Sequence, residues 1–94
     1  DVKLQIVGNK IGYDGAGDPL EMDNSSGTAG ISLRTLRKGD VSIIGNYVEN
    51  FFYGIRASDM SEDVIWRVFD LTTVGVSDQI SWDESVKNEP KKDR

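Results

Sequence analysis

A pattern of strand and turn signals that recurs at a nearly constant spacing limits the fold of this chain more than any other feature. Its clearest copy runs from Asp40 to Ala57, DVSIIGNYVENFFYGIRA. Apolar and polar residues alternate at its start, as in a strand with one buried face. Gly45-Asn46 then interrupts the pattern, and both residue types accept the left-handed backbone of a sharp bend. Extended runs resume at Tyr47 and Gly54. The stretch therefore predicts three short strands separated by two turns. Taken alone, Gly45-Asn46 could also be the turn of an ordinary hairpin.

The same signals occur before and after this stretch. Residues 4–11 match residues 41–48 almost letter for letter at an offset of 37, which we interpret as one coil of 23 plus an insertion of 14. Asp40-Val41 recurs at an offset of 23, as Asp63-Val64. Segments that begin with glycine and an aliphatic residue recur at offsets of 24 and then 21, at Gly30-Ile31, Gly54-Ile55 and Gly75-Val76.

Periods of about 20 to 50 residues are typical of solenoids. The repeat therefore predicts an all-β fold, a right-handed parallel β-helix of about three coils over residues 1–82. We expect Ile31, Ile55 and Val76 to be neighbours in one sheet. Asn46 should hold its bend through a positive φ, and Trp66, aligned with Ile43, should lie in the core. The alternative is a small β-sandwich in which the repeat spacing is coincidental.

The composition excludes several classes of function. The 94 residues include no histidine and no cysteine. The chain therefore contains no Ser-His-Asp triad, no Cys-His pair, no thiolate metal site and no disulfide. Its net charge of −5 argues against nucleic acid as a partner, which needs a basic surface. No apolar run approaches the roughly 20 residues of a membrane span. Because the chain begins at Asp1, we expect a processed product or part of a longer chain.

Two segments differ from the coils in composition. Residues 12–29 are rich in Gly, Asp and Ser, which predicts a loop inserted after the first strands. This acidic insertion contains no Lys or Arg and predicts either a solvated loop or a calcium site, because calcium prefers carboxylate and carbonyl oxygens. Its candidate ligands are Asp14, Asp18, Glu21 and Asp23. Residues 83–94 hold eight charged residues and little to bury, which predicts a solvated tail or linker.

Three groups of side chains are candidates for binding or catalysis. Asp59, Glu62 and Asp63 follow a predicted strand, and glycoside hydrolysis needs paired carboxylates, although such acids are also common surface residues. Alternation along two strands leaves a row of outward hydroxyl and guanidinium groups for a saccharide: Ser32, Arg34, Arg56 and Ser58. In the alternative, Arg56 only pairs with Asp59 or Asp63. Rings that could stack on sugar faces are those of Tyr13, Tyr53 and Trp82.

The string VSIIGNYVENFFYGIRA resembles the coils of the pectate-lyase-like β-helix superfamily, which includes polysaccharide lyases, glycoside hydrolases and bacteriophage tailspikes. The resemblance lies in a coil consensus of strand, Gly-Asn bend, strand, loop and Gly-Ile strand, and it includes no catalytic motif. It implies that the strands that begin with glycine form one sheet. It also implies that the outer face of this sheet lines a saccharide groove.

This resemblance favours a structural, saccharide-contacting segment of a phage tailspike-like protein. We expect such a segment to be extracellular or on a virion surface and to bind a polysaccharide. Because a solenoid coil is stabilised only by its neighbours, we also expect a homo-oligomer, in the first place a trimer, or a continuation in a longer chain. The alternatives are a fragment of a polysaccharide lyase or glycoside hydrolase, and a compact β-sandwich binding module. We expect no catalysis by this chain alone.

Overall fold

The computed structural model of the chain describes residues 2–13, 15–19, 27–86 and 89–92. These residues form ten strands and no helix. The strands are β1 (Val2–Val7), β2 (Lys10–Ile11), β3 (Ala29–Leu36), β4 (Gly39–Ile44), β5 (Tyr47–Glu49), β6 (Tyr53–Met60), β7 (Val64–Phe69), β8 (Thr72–Val74), β9 (Asp78–Trp82) and β10 (Lys91–Lys92).

The strands form three parallel sheets that wind as a β-helix. Sheet 1 has the order β1-β4-β7-β10, sheet 2 the order β2-β5-β8 and sheet 3 the order β3-β6-β9. Each coil thus contributes one strand to each sheet in turn, and every pairing between these strands is parallel. The predicted parallel β-helix is confirmed. The β-sandwich alternative is wrong for the described residues, because sandwiches are built from antiparallel strands.

The predicted register is correct for the first two coils and wrong for the third. Leu4 pairs with Val41 at the predicted offset of 37, and Ile31 pairs with Ile55. In the next coil, however, Ile55 pairs with Ile80 rather than Val76. Trp66 pairs with Val41 rather than Ile43, so the third coil follows the second at an offset of 25 and not of 23.

Two different uses of glycine explain the wrong alignment of Gly75. At Gly30 an added Cβ would lie 2.5 Å from Val48 Cγ1, and at Gly54 it would lie 2.5 Å from the carbonyl oxygen of Gln79. Both glycines are required because neighbouring atoms leave no room for a side chain. Gly75 instead has a φ of +64° in the turn before β9. Glycine is therefore required by close packing alone at Gly30 and Gly54, whereas Gly75 is required by a left-handed turn as well.

The bend between sheets 1 and 2 depends on Gly45 for its backbone and on Asn46 for its hydrogen bonds. The positive φ, +66°, belongs to Gly45, so the predicted positive φ at Asn46 is wrong. Asn46 is only 2% exposed. Its Oδ1 accepts from the backbone N–H and side-chain Nδ2 of Asn9 at 2.9 and 3.1 Å, and its Nδ2 donates to the carbonyl of Ile6 at 2.9 Å. The buried amide therefore joins the first two coils at this corner.

The core lies along the axis of the helix, between the three sheets. Its best-buried apolar side chains belong to the second coil, which has a coil on either side: Val41, Ile43, Val48, Ile55 and Ala57 are all 0% exposed. Trp66 extends this core into the third coil, where its buried ring meets Trp82 edge-on at 6.4 Å. The prediction that Trp66 belongs to the core is confirmed.

Residues after Asp83 contribute more to the fold than the predicted solvated tail would. Val86 is 9% exposed and belongs to the core cluster, and Pro90 is buried. Lys91 and Lys92 pair in parallel with β7 and thereby extend sheet 1. Composition did not indicate this, because only Val86 and Pro90 are buried among these described residues, and the strand pairing is made by the backbone.

Candidate functional site

A row of polar residues lies on the outer face of sheet 3. Ser32, Arg56 and Ser81 are in register on three neighbouring strands, and Arg34 is in register with Ser58. The row points outward because strand side chains alternate and the intervening apolar residues fill the core. The structure therefore places the four predicted residues on one face and adds Ser81. We call this set the polar row.

The two arginines of the polar row have different surroundings. Arg34 is exposed and makes no hydrogen bond or ion pair with the described residues. Arg56 is half-buried: its Nη1 donates to Ser81 Oγ at 2.9 Å, and its Cζ lies 5.2 Å from the centre of the Tyr53 ring. This hydrogen bond and the cation–π contact orient the Arg56 guanidinium. The row thus combines an exposed cation with one that is held in position.

The predicted aromatic residues are not equivalent. Tyr53 lies beside the polar row, and the edge-to-face ring of Phe52 supports it at a centroid distance of 4.7 Å. Trp82 follows the outward Ser81 and pairs with buried Ala57, so its ring packs against the core and Trp66. Tyr53 is therefore the aromatic ring that the structure offers to a ligand at this face.

Within the carboxylate cluster, Asp59 does not suit the role of a protonated general acid. Asp59 accepts two hydrogen bonds from the guanidinium of Arg37, at 3.1 and 2.9 Å. These bonds are the main reason that the pKa of Asp59 is lowered. A glycosidase needs one carboxyl group that remains protonated, and Asp59 is held in the opposite state. Of the two acids expected as alternative partners of Arg56, Asp59 pairs with Arg37 instead.

A second polar cluster lies at sheet 2 and was largely missed from the sequence. The hydroxyl groups of Tyr13 and Tyr47 both donate to Oε1 of Glu49, each at 2.7 Å. The ammonium nitrogen of Lys10 lies 4.1 Å from the centre of the Tyr13 ring and 5.9 Å from that of Tyr47. We call these four residues the tyrosine cluster. Only Tyr13 was predicted as a candidate binding residue.

The offset of 37 contains the signal that would have predicted the tyrosine cluster. This offset pairs Lys10 with Tyr47 in sheet 2. Tyr13 follows shortly after Lys10, and Glu49 follows shortly after Tyr47. Both residues therefore lie near this pair of strands. The hydrogen bonds themselves could not be predicted, because they depend on how the chain leaves β2 for the insertion.

Comparison with known proteins finds no matching family model, no matching curated sequence and no matching solved structure. The resemblance to the pectate-lyase-like superfamily therefore stays a prediction.

Hydrogen bonds from the two tyrosines, with a smaller contribution from Lys10, lower the pKa of Glu49. The contact with Glu49 in turn raises the pKa of Tyr13. A carboxyl group with a lowered folded-state pKa stabilises the protein above its unfolded pKa of about 4.3, and this contribution is lost as the pH falls through the folded-state value. The tyrosine cluster is therefore complete at neutral pH and weakens in acid.

We predict that replacing both Tyr13 and Tyr47 by phenylalanine reduces the acid dependence of stability. Thermal unfolding followed by circular dichroism should show a smaller fall in Tm between neutral and acidic pH than for the wild type. Tyr53→Phe is the matched control, because Tyr53 lies outside the tyrosine cluster, and its acid dependence should equal that of the wild type. Equal acid dependence in the double variant and the wild type would contradict the prediction.

The predicted calcium site falls mostly outside the described residues. Asp14, Glu21 and Asp23 are not among them, whereas Asp18 is described and exposed. Within the described ranges, no group of three or more acidic, histidine or cysteine side chains is arranged to hold a metal ion. Calcium binding by the insertion stays a prediction. In the same part of the chain, no helix is long and apolar enough to cross a membrane.

Proposed function

We propose that this chain is a non-catalytic, saccharide-contacting segment of a tailspike-like β-helix protein, and that it binds a polysaccharide through the polar row. The observation that carries the proposal is the ladder of Ser32, Arg56 and Ser81, with exposed Arg34 beside it. A location outside the cell or on a virion surface belongs to the same proposal.

The chemistry of the row suits a carboxylated saccharide. Guanidinium groups bind carboxylates through two parallel hydrogen bonds, and serine hydroxyls both donate to and accept from sugar hydroxyls. Parallel strands repeat these groups about every 4.8 Å, so an extended polymer can meet several of them at once. Tyr53 adds a ring at the edge of the row, next to Arg56.

The test is a binding titration with alginate and polygalacturonate, two carboxylated polysaccharides, and with dextran, which is neutral. Arg34→Ala combined with Arg56→Ala should weaken binding to the carboxylated polymers by about tenfold or more, because each lost charge-assisted hydrogen bond is worth about 1.5 to 3 kcal/mol. We expect only a small change in Tm, because these side chains lie on the outer face.

Lys3→Ala combined with Lys38→Ala is the matched control. It removes the same charge from exposed lysines outside the polar row and should weaken binding far less. Unchanged binding in a folded Arg34/Arg56 double variant would exclude the row as the site. Release of sugar fragments by the wild type would instead favour the alternative of a lyase or glycosidase fragment.

A further inference from the structure

The tyrosine cluster holds a cation against two aromatic rings. The ammonium nitrogen of Lys10 lies 4.1 Å from the centre of the Tyr13 ring and 5.9 Å from that of Tyr47. Both distances are within the range of a cation–π contact. The ammonium group makes no hydrogen bond or ion pair with the described residues. Ring faces therefore make the closest contacts to this cation in the part of the chain that the structure describes.

The carboxylate of Glu49 fixes the two rings that contact the cation. The ring centres of Tyr13 and Tyr47 are 6.3 Å apart, and the ring planes are inclined by 50°. Because both hydroxyl groups donate to the same oxygen of Glu49 at 2.7 Å, neither ring can turn away without losing a hydrogen bond. Within β2, β5 and β8, Lys10 and Glu49 are the only charged residues. The cluster thus combines two oriented ring faces with one negative charge.

The backbone around Tyr13 holds its ring over sheet 2. Gly12 has a φ of +111°, and an added Cβ would lie only 2.5 Å from the carbonyl oxygen of Glu49. Glycine therefore allows the chain to pass close to β5 just before Tyr13. Tyr13 also forms an antiparallel bridge with Pro19. Since these contacts are already formed, a ligand would not have to order the rings on binding.

We propose that the tyrosine cluster binds the quaternary ammonium group of a choline-type ligand, which takes the place of the Lys10 ammonium. Aromatic ring faces recognise such groups through the attraction between the cation and the ring quadrupole. A quaternary ammonium has no N–H group, so it loses no donated hydrogen bond when it leaves water for the rings. Val74, which is in register with Glu49 and 45% exposed, offers an apolar contact for the methyl groups.

Lys10 is an exchangeable occupant of this site. Its side chain is exposed, and a lysine ammonium is a strongly hydrated charge on a flexible stem, so it can move into water at little cost. While Lys10 contacts the rings, it competes with the ligand and lowers the apparent affinity in proportion to the time that it occupies the site. Removing the lysine side chain should therefore strengthen the binding of choline.

An NMR titration with choline chloride tests the proposal, with the ring resonances of Tyr13 and Tyr47 as the readout. Lys10→Ala should bind choline with a Kd on the order of 1 mM, as expected for a few cation–π contacts. The wild type should bind about five- to tenfold more weakly. Dimethylbutanol, the uncharged analogue in which carbon replaces the nitrogen of choline, should bind at least about tenfold more weakly than choline to Lys10→Ala.

Three variants separate the cation site from a general effect of charge. Lys3→Ala removes the same charge from an exposed lysine on sheet 1 and should bind choline like the wild type. Tyr13→Leu in the Lys10→Ala background removes one ring face and should weaken binding about tenfold. If that variant does not fold, Glu49→Gln in the same background removes the negative charge with little change of shape and should also weaken binding.

Three results would overturn the proposal: no choline-dependent shift of either tyrosine in Lys10→Ala, an equal gain of affinity in Lys3→Ala, or equal binding of choline and dimethylbutanol. If choline binds, two further arms identify the source of the group. Competition by soluble phosphocholine alone indicates a soluble ligand, and co-sedimentation with phosphatidylcholine vesicles indicates a lipid surface.

The inference does not depend on the proposed saccharide function, because the tyrosine cluster lies on sheet 2 and the polar row on sheet 3. Arg34→Ala combined with Arg56→Ala should leave choline binding unchanged. A wild type and a Lys10→Ala variant that bind alginate but not choline would overturn only the cation site. A protein that binds choline but no polysaccharide would overturn only the proposed function.

Discussion

Trp66→Ala should destabilise the protein by about 3 to 5 kcal/mol. The side chain is 1% exposed and pairs with Val41, and its ring packs edge-on against Trp82. Truncation would leave a cavity between the second and third coils, where each coil depends on its neighbour. Domains of this size have total stabilities of about 5 to 15 kcal/mol, so much of the variant should be unfolded at moderate temperature.

Denaturant unfolding followed by circular dichroism measures this loss. Ile65→Ala is the matched control, because Ile65 is the preceding residue on β7 and lies on the outer face, 44% exposed. Its unfolding free energy should change by less than about 0.5 kcal/mol, as for ordinary surface substitutions. If Trp66→Ala lost no more stability than Ile65→Ala, the assignment of Trp66 to the junction between coils would be wrong.

Asn46→Leu should lower the unfolding free energy by about 2 to 4 kcal/mol, because it removes the acceptor for two groups of Asn9 and the donor to the carbonyl of Ile6. A backbone N–H and a carbonyl would then lack partners at a partly buried corner, and each such group costs about 1 to 3 kcal/mol when water does not replace the partner. Leucine itself suits this position in the third coil, where partly buried Leu71 directly precedes β8 as Asn46 precedes β5.

Asn9→Ala is the matched control for Asn46→Leu. It shows whether the loss of stability is specific to the buried amide of Asn46 or follows from the loss of any asparagine at this bend. Asn9 is exposed, and its side chain contributes only one of the three bonds to Asn46. Thermal and denaturant unfolding should show a change of about 1 kcal/mol or less for this variant. Equal losses in Asn9→Ala and Asn46→Leu would contradict a special role for the buried amide.

The sequence predicted those parts of the fold in which periodicity and burial coincide. Alternation placed Ile31, Leu33, Ile55 and Ala57 inside, so the polar row could be predicted to face outward. The third coil was misaligned because Gly75 serves a left-handed turn, while Gly30 and Gly54 serve close packing. Glycines that are required for different physical reasons cannot be distinguished from the sequence alone.

Interactions between distant polar groups were harder to predict than the strands. Glu49 meets Tyr13 from a distant part of the sequence, through a corner whose path depends on the insertion. Arg37, in the turn that follows β3, donates to Asp59, whereas Arg56 donates to Ser81 on the neighbouring strand. Composition likewise concealed the role of Val86, whose burial depends on the shape of the helix end.

The longer connection between β1 and β4 has a consequence for how this protein can vary. In sheet 1, Val41 and Trp66 of the second and third coils pair at an offset of 25, whereas Leu4 and Val41 pair at an offset of 37. Loop-closure entropy grows only with the logarithm of length, so the additional chain costs about 0.3 kcal/mol. A corner that lengthens so cheaply can accept segments of different length and chemistry while the strands above and below stay in register. We therefore expect the segment between β2 and β3 to be the position at which new peptide sequences can be displayed on this helix with little loss of stability.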